Sequence, residues 1–219
     1  RYGDAFLERK VASRCIDYAS LVAFYEEGST LCVAARTDSD LLFLHPARPD
    51  VPPYTGSLIW VSSARKGNTP AGAAAQMSQV AALMRFLNSP LAYTAVKDDL
   101  LSKTSRLIPA PDGVGQLETY TLRDYSEGLT GLFWRNFYGP LFAEFFGERL
   151  RSLPGEFKQE LSDGITLVQP YELPTEAGTP EGMARERQII AQLGPECFYD
   201  HEHHRKPTRV PELPATWFH

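Results

Sequence analysis

Cysteine is scarce in this 219-residue chain: Cys15, Cys32 and Cys197 stand far apart, with no Cys-x-x-Cys pair among them. That spacing excludes a zinc ribbon and a dithiol redox motif. It points to buried thiols in a reducing compartment, with one stray disulfide as the alternative. No apolar run reaches the length of about 20 residues that spans a bilayer. Positive charge is not in excess either, since 22 Lys and Arg face 27 Asp and Glu, for a net charge of −5. A nucleic-acid binder carries the opposite sign. Neither nucleic acid nor a membrane is therefore expected as a partner, and the expected location is the cytoplasm. The chain begins at Arg1 rather than Met, which leaves an export signal open.

Catalytic signatures are missing as well. There is no Gly-x-Ser-x-Gly elbow, and no cysteine has a recognisable histidine context. "GNTPAGAAAQ" has the place of a phosphate loop, with Gly67 and Gly72 suitably separated. Ala73 and Ala74 stand where the phosphate-binding Lys and the magnesium-binding Ser or Thr would be needed. What remains there is a helix start able to attract an anion.

The negative charge is unevenly placed. Residues 1–70 and 71–140 are each balanced, whereas residues 141–219 hold 8 basic and 13 acidic side chains, the whole of the excess. An acidic region suits a basic protein partner, and solubility explains it equally well. The acids available for such a contact are Glu26 and Glu27, Asp38 and Asp40 in a turn, Asp98 and Asp99, and Glu181 and Glu186 in the acidic helix 181–186.

The densest chemistry lies in "YDHEHHRKP", residues 199–207. Asp200, His201, Glu202, His203 and His204 are all metal-ligand types. A metal needs three or four of them converging from fixed directions. In an extended chain His201 and His203 share one face and His204 looks away. The His-Glu-x-x-His spacing of a zinc helix is absent, and "RKPTRVPELP" opposes a helix. A third ligand would have to come from His45 or a distant acid. The expectation is a polar surface without cofactor or metal; a metal-dependent hydrolase using the His201–His204 cluster, through His201 and His203, is the competing reading.

Apolar spacing predicts the fold class. Leu7, Val11, Cys15, Tyr18, Val22 and Tyr25 form one helical stripe that ends at Gly28. "TLCVAAR" and "LLFLH" predict a hairpin, and "SLIWVSS" a third strand. Thr69 and Pro70 open a helix striped by Met77, Val80, Met84 and Leu87. "VKDDLLSKTSRLIPAPDGVGQLE" reads as an irregular connection. Then come a strand in "GLTGLFWRNF", a helix in "GPLFAEFFGERLRSL", a hairpin of "EFKQEL" and "ITLVQ" around Asp163–Gly164, a helix capped by Thr179, and a last strand in "ECFY". Seven of the fourteen residues in "FWRNFYGPLFAEFF" are aromatic and are expected in the core, with Arg135 and Asn136 as surface contacts and the Trp134 indole requiring an acceptor. The class is α+β, with two α/β halves. The second half has the ferredoxin-like order β-α-β-β-α-β in a mostly antiparallel sheet. The expected organisation is a single domain over 1–219, made of similar halves near 1–100 and 116–200, with an extended tail over 201–219.

The stretch "GLFWRNFYGPLFAEFFGERLRSLP" followed by "LSDGITLVQPYELPTEAGTPEG" resembles the C-terminal half of bacterial immunity proteins that guard against polymorphic or type VI-secreted toxins. Trp134, Asn136, Gly139, Gly147, Gly164, Leu167, Gln169, Pro174 and Gly178 carry the resemblance, over about seventy residues of core and turn positions. It implies a cytoplasmic, non-catalytic protein that binds one cognate toxin with a basic surface and occludes it. A non-catalytic scaffold subunit is the other alternative.

Overall fold

The computed structural model describes residues 2–3, 17–27, 30–34, 40–46, 56–63, 69–110, 112–120 and 128–212. The chain divides into two compact units, with the boundary between Thr69 and Pro70. The class is α+β.

The N-terminal unit has helix α1 (Tyr18–Glu27) and strands β1 (Tyr2–Gly3), β2 (Leu31–Ala34), β3 (Leu41–His45) and β4 (Ser57–Val61). The strands pair in chain order, all antiparallel. Asp17 caps α1: its carboxylate accepts the Ser20 amide at 3.0 Å and the Ser20 hydroxyl at 2.6 Å. The helix lies one step off the expected stripe. Tyr18 and Val22 are exposed, while the Phe24 ring meets the Tyr2 ring edge-on at 5.6 Å. "YASLVAFY" is apolar on nearly every side, so periodicity alone selects no inner face. Residues 4–16, which hold the expected start of this helix, lie outside the described residues, as do Gly67 and the tail beyond Glu212.

The C-terminal unit is built on a four-stranded antiparallel sheet of β5 (Leu91–Thr94), β8 (Arg135–Tyr138), β9 (Lys158–Glu160) and β10 (Thr166–Val168), in the order β5-β8-β10-β9. Period-two alternation splits its side chains between two cores. Phe137 and Leu167 face helix α2 (Pro70–Leu87), packing with Ala81 and Met84. Tyr138 and Val168 face α4 (Pro140–Phe146), α5 (Glu148–Arg151) and α6 (Pro180–Leu193), through Phe142, Phe146, Leu150, Ile189 and Leu193. Aromatic pairs such as Tyr138–Phe146, 5.2 Å apart, fill that second layer.

Turn chemistry sets the connections. Asp163 and Gly164 both have positive φ, 62° and 72°, and Ile165 closes the turn on Ser162: a type I′ hairpin, as the Asp-Gly pair predicts. Thr179 caps α6 by accepting the Gly182 amide at 3.1 Å. Gly182 has to be glycine for another reason, because a Cβ there would sit 2.2 Å from the Glu176 carbonyl oxygen.

Four further expectations differ from the structure. The helix expected over "GPLFAEFFGERLRSL" breaks at Gly147, whose φ of 57° and ψ of −125° interrupt the ladder and divide α4 from α5. The connection expected to be irregular holds helix α3 (Lys97–Thr104) and a hairpin of β6 (Ser105–Pro109) and β7 (Gln116–Tyr120). The hairpin tip follows Asp112–Gly113, with Gly113 and Gly115 at φ of 75° and 83°. "ECFY" forms a single 3-10 turn, Pro195–Cys197, and Phe198 makes one parallel bridge to Leu129. The sheet's outer place beside β8 is taken by β5 instead. Arg135 and Asn136 are buried, not surface contacts. The Asn136 amide closes the turn into β8 by accepting the Phe133 amide and donating to the Phe133 and Val168 carbonyls.

Candidate functional site

Two clusters of ionisable groups lie in the C-terminal unit. The first is buried. Lys103 in α3 directs its ammonium at Asp99 Oδ1 (2.7 Å), Glu186 (2.8 Å) and the Leu132 carbonyl (2.6 Å), which uses all three of its N–H donors. Asp99 and Lys103 are one helical turn apart, the spacing at which such pairs meet. Glu186 comes from α6 and also accepts the Tyr171 hydroxyl at 3.1 Å. The Phe133 ring lies 5.3 Å from the ammonium.

Asp99, Tyr171 and Glu186 are 8%, 2% and 6% exposed, so two carboxylates share one ammonium away from solvent. Among the described residues, the Asp99 Oδ2 atom has no hydrogen-bond partner. Burial raises the Glu186 carboxyl above its ordinary range, and the nearby Asp99 charge adds to this against the pull of Lys103. The Tyr171 phenol is raised by burial first and by Glu186 second. The arrangement locks α3, α6 and the approach to β8 together.

The second cluster is the histidine tract. Asp200 and Arg205 form an isolated antiparallel bridge that encloses a turn over 201–204. Asp200 Oδ1 accepts the amides of Glu202 and His203 at 3.1 Å each, and Oδ2 pairs with His203 Nδ1 at 2.8 Å. These bonds, the His203 amide foremost, hold the Asp200 carboxyl below its usual range. His201 turns elsewhere: its Nε2 bonds the Thr130 carbonyl at 2.7 Å and its ring meets Tyr199 edge-on. His204 has a φ of 52°. His45 is on β3 and bonds the Thr30 hydroxyl at 3.1 Å. Among the described residues, no group of three or more His, Cys, Asp or Glu side chains is placed to hold a metal ion.

The remaining sequence-selected acids scatter. Glu26 and Glu27 are exposed at the end of α1, and Asp40 is half-buried at the entry to β3. Asp98 and Glu181 are exposed in the first turns of α3 and α6, where the helix dipole favours acids. Asp38 lies outside the described residues. Of those acids that are described, the structure brings together Asp99 and Glu186, on Lys103. Sequence reasoning missed that lysine; its signal was the Asp99–Lys103 spacing of four.

Trp134, Gln169, Gly139 and Gly178 have structural work. The Trp134 indole donates to the Glu172 carbonyl at 3.0 Å and stacks on the Arg135 guanidinium at 4.0 Å. Gln169 accepts from Arg135 and donates to the Tyr171 and Glu172 carbonyls. A Cβ on Gly139 would press on the Pro90 carbonyl at 3.1 Å, and Gly178 has a φ of 76°. An open cleft of about 580 Å³ runs beside β9, lined by Glu156, Lys158, Gln159, Gln169, Glu172 and Arg185 among others. No helix among the described residues is long and apolar enough to cross a membrane. Comparison with protein-family models, curated proteins and solved structures returns no match.

Proposed function

We propose that this chain acts by binding another protein, as an immunity protein that occludes a cognate bacterial toxin in the cytoplasm. One observation carries the reading: among the described residues, the groups best suited to chemistry, Lys103 with its carboxylates and the imidazoles of His201 and His203, already have internal partners. Glu186 and Asp99 hold Lys103, His201 holds the Thr130 carbonyl, and His203 holds Asp200. Glu26, Glu27, Asp98 and Glu181 stay exposed and available to a basic surface. The immunity resemblance supports the same reading, because its residues sit at buried and turn positions that build a scaffold. In this reading the C-terminal sheet is a ferredoxin-like variant whose outer strand, β5, precedes rather than follows the other three.

Mechanistically, exposed carboxylates raise the encounter rate with a positively charged cleft. Co-expression with the product of the adjacent reading frame tests this. Relief of toxicity together with a purified complex supports it, while neither rescue nor complex rejects it. Within a confirmed complex, reversing Asp98 or Glu181 to Lys slows association about two- to tenfold at low salt and less at high salt.

A further inference from the structure

Among the described residues, strand β9 is an outer strand of its sheet and pairs with β10 alone. The Gln169 amide donates to the Phe157 carbonyl and the Leu161 amide to the Ile165 carbonyl, so residues 157, 159 and 161 direct their backbone groups at β10. By alternation, the N–H and C=O of Lys158 and Glu160 point away from the sheet. The cleft takes in Lys158 and Gln159 of this strand, and at Gly155 in its lining an added Cβ would meet nothing within 4 Å. Gln159 and Glu160 are exposed and Lys158 is half-buried. The Lys158 ammonium donates to the Arg151 carbonyl at 2.6 Å and the Glu160 carboxylate accepts the Thr166 hydroxyl at 2.9 Å, which leaves each group with further capacity for a partner.

We propose that this strand edge is a self-association surface, and that its occupant is β9 of a second copy, antiparallel about a two-fold axis through Gln159. The charge order fixes this choice. In that register Lys158 stands opposite Glu160 of the second copy, and Glu160 opposite its Lys158, with the two Gln159 residues facing each other. The outward N–H and C=O of each Lys158 then exchange both hydrogen bonds with the facing Glu160, as an antiparallel ladder requires. Moving the register by two residues in one direction sets Lys158 against Lys158, and in the other Glu160 against Glu160, and like charges directly opposite are unfavourable. A two-fold interface needs a surface complementary to itself, and Lys-Gln-Glu is such a surface. The result is a continuous eight-stranded antiparallel sheet.

Sedimentation velocity over a concentration series tests this with charge exchange. The wild-type chain shows a monomer–dimer equilibrium that weakens as salt rises. Lys158→Glu and Glu160→Lys each set like charges opposite and each weaken the dimer roughly tenfold. Mixed one to one, the two variants recover association, because each supplies the charge the other lacks. The double exchange K158E/E160K recovers it in a single chain. A wild-type chain that stays monomeric throughout the series overturns the proposal. So does a dimer that survives both single reversals, or single variants that do not re-associate on mixing. Toxin binding by a monomeric chain would leave the immunity reading intact while this one failed.

Discussion

The two ionisable clusters of the C-terminal unit differ in a way that their sequences conceal. The histidine tract concentrates metal-ligand types within nine residues, yet its groups turn to separate partners: His203 to Asp200, His201 to Thr130. The lysine cluster draws its members from positions 99, 103, 171 and 186 and converges them within hydrogen-bond distance. Density along the chain and convergence in space are separate properties. A turn of four residues points its side chains outward, whereas three elements packed on one core point theirs at a common centre.

The comparison breaks most sharply at Lys103. Lys103→Met leaves the Asp99 and Glu186 carboxylates facing each other without a cation, and removing one partner of a buried ion pair costs about 3–5 kcal/mol. Equilibrium denaturation in urea reads this as a lower midpoint at an unchanged slope. Tyr171→Phe is milder. It removes one hydrogen bond to a carboxylate and leaves the ring packed, for a loss of about 1–2 kcal/mol.

Glu186→Gln sharpens the comparison through pH. Because burial raises the Glu186 carboxyl in the folded chain, the folded state binds a proton more readily than the unfolded state does. Its contribution is therefore largest at low pH and declines as pH rises from the ordinary glutamate range through the raised value. Glutamine keeps the acceptor for Lys103 and Tyr171 and removes the excess negative charge. The variant's stability at neutral pH stays within about 1 kcal/mol of the wild type. Its stability–pH curve is flatter above pH 4.5, the ordinary value of the group. A curve parallel to the wild type would show that Glu186 carries no such linkage.

These contrasts explain how much of the molecule was legible beforehand. Local codes were readable: Asp163–Gly164 as a turn, Thr179 as a cap, Pro70 at a helix start. Alternation in "EFKQEL" and "ITLVQ" on either side of that turn made the hairpin of β9 and β10 readable, whereas "RNFY" is buried along its whole length and carries no alternation of polar and apolar residues. Strand partners were not readable. Nothing in "LAYT" announces that it replaces "ECFY" beside β8, since both are short and apolar and their pairing is decided at long range. The α3 helix escaped because an eight-residue helix with Asp98 and Asp99 at its start reads as polar linker until Lys103 finds Glu186. Convergent sites belong to that same long-range information.

The smallest effect belongs to the tract that looked most functional. His203→Ala removes the pairing with Asp200 Oδ2, but both amide bonds to Asp200 Oδ1 come from backbone and survive. At a surface position of this kind the urea midpoint at neutral pH is expected to stay unchanged. The pH dependence runs opposite to that of Glu186. The Asp200 carboxyl is depressed in the folded chain, so its contribution is present above the ordinary aspartate range and lost as pH falls through the lower folded value. Zinc separates the two readings of this segment further. A ligand that prefers the folded state raises the melting temperature, and a zinc ion held by His201 and His203 would do so in the wild type and not in His203→Ala. With His201 turned to Thr130 and His203 to Asp200, equal melting temperatures with and without zinc are expected for both. A zinc-dependent rise confined to the wild type would mean that the turn over 201–204 rearranges to bring its imidazoles together, and the metal reading would then displace the binding one.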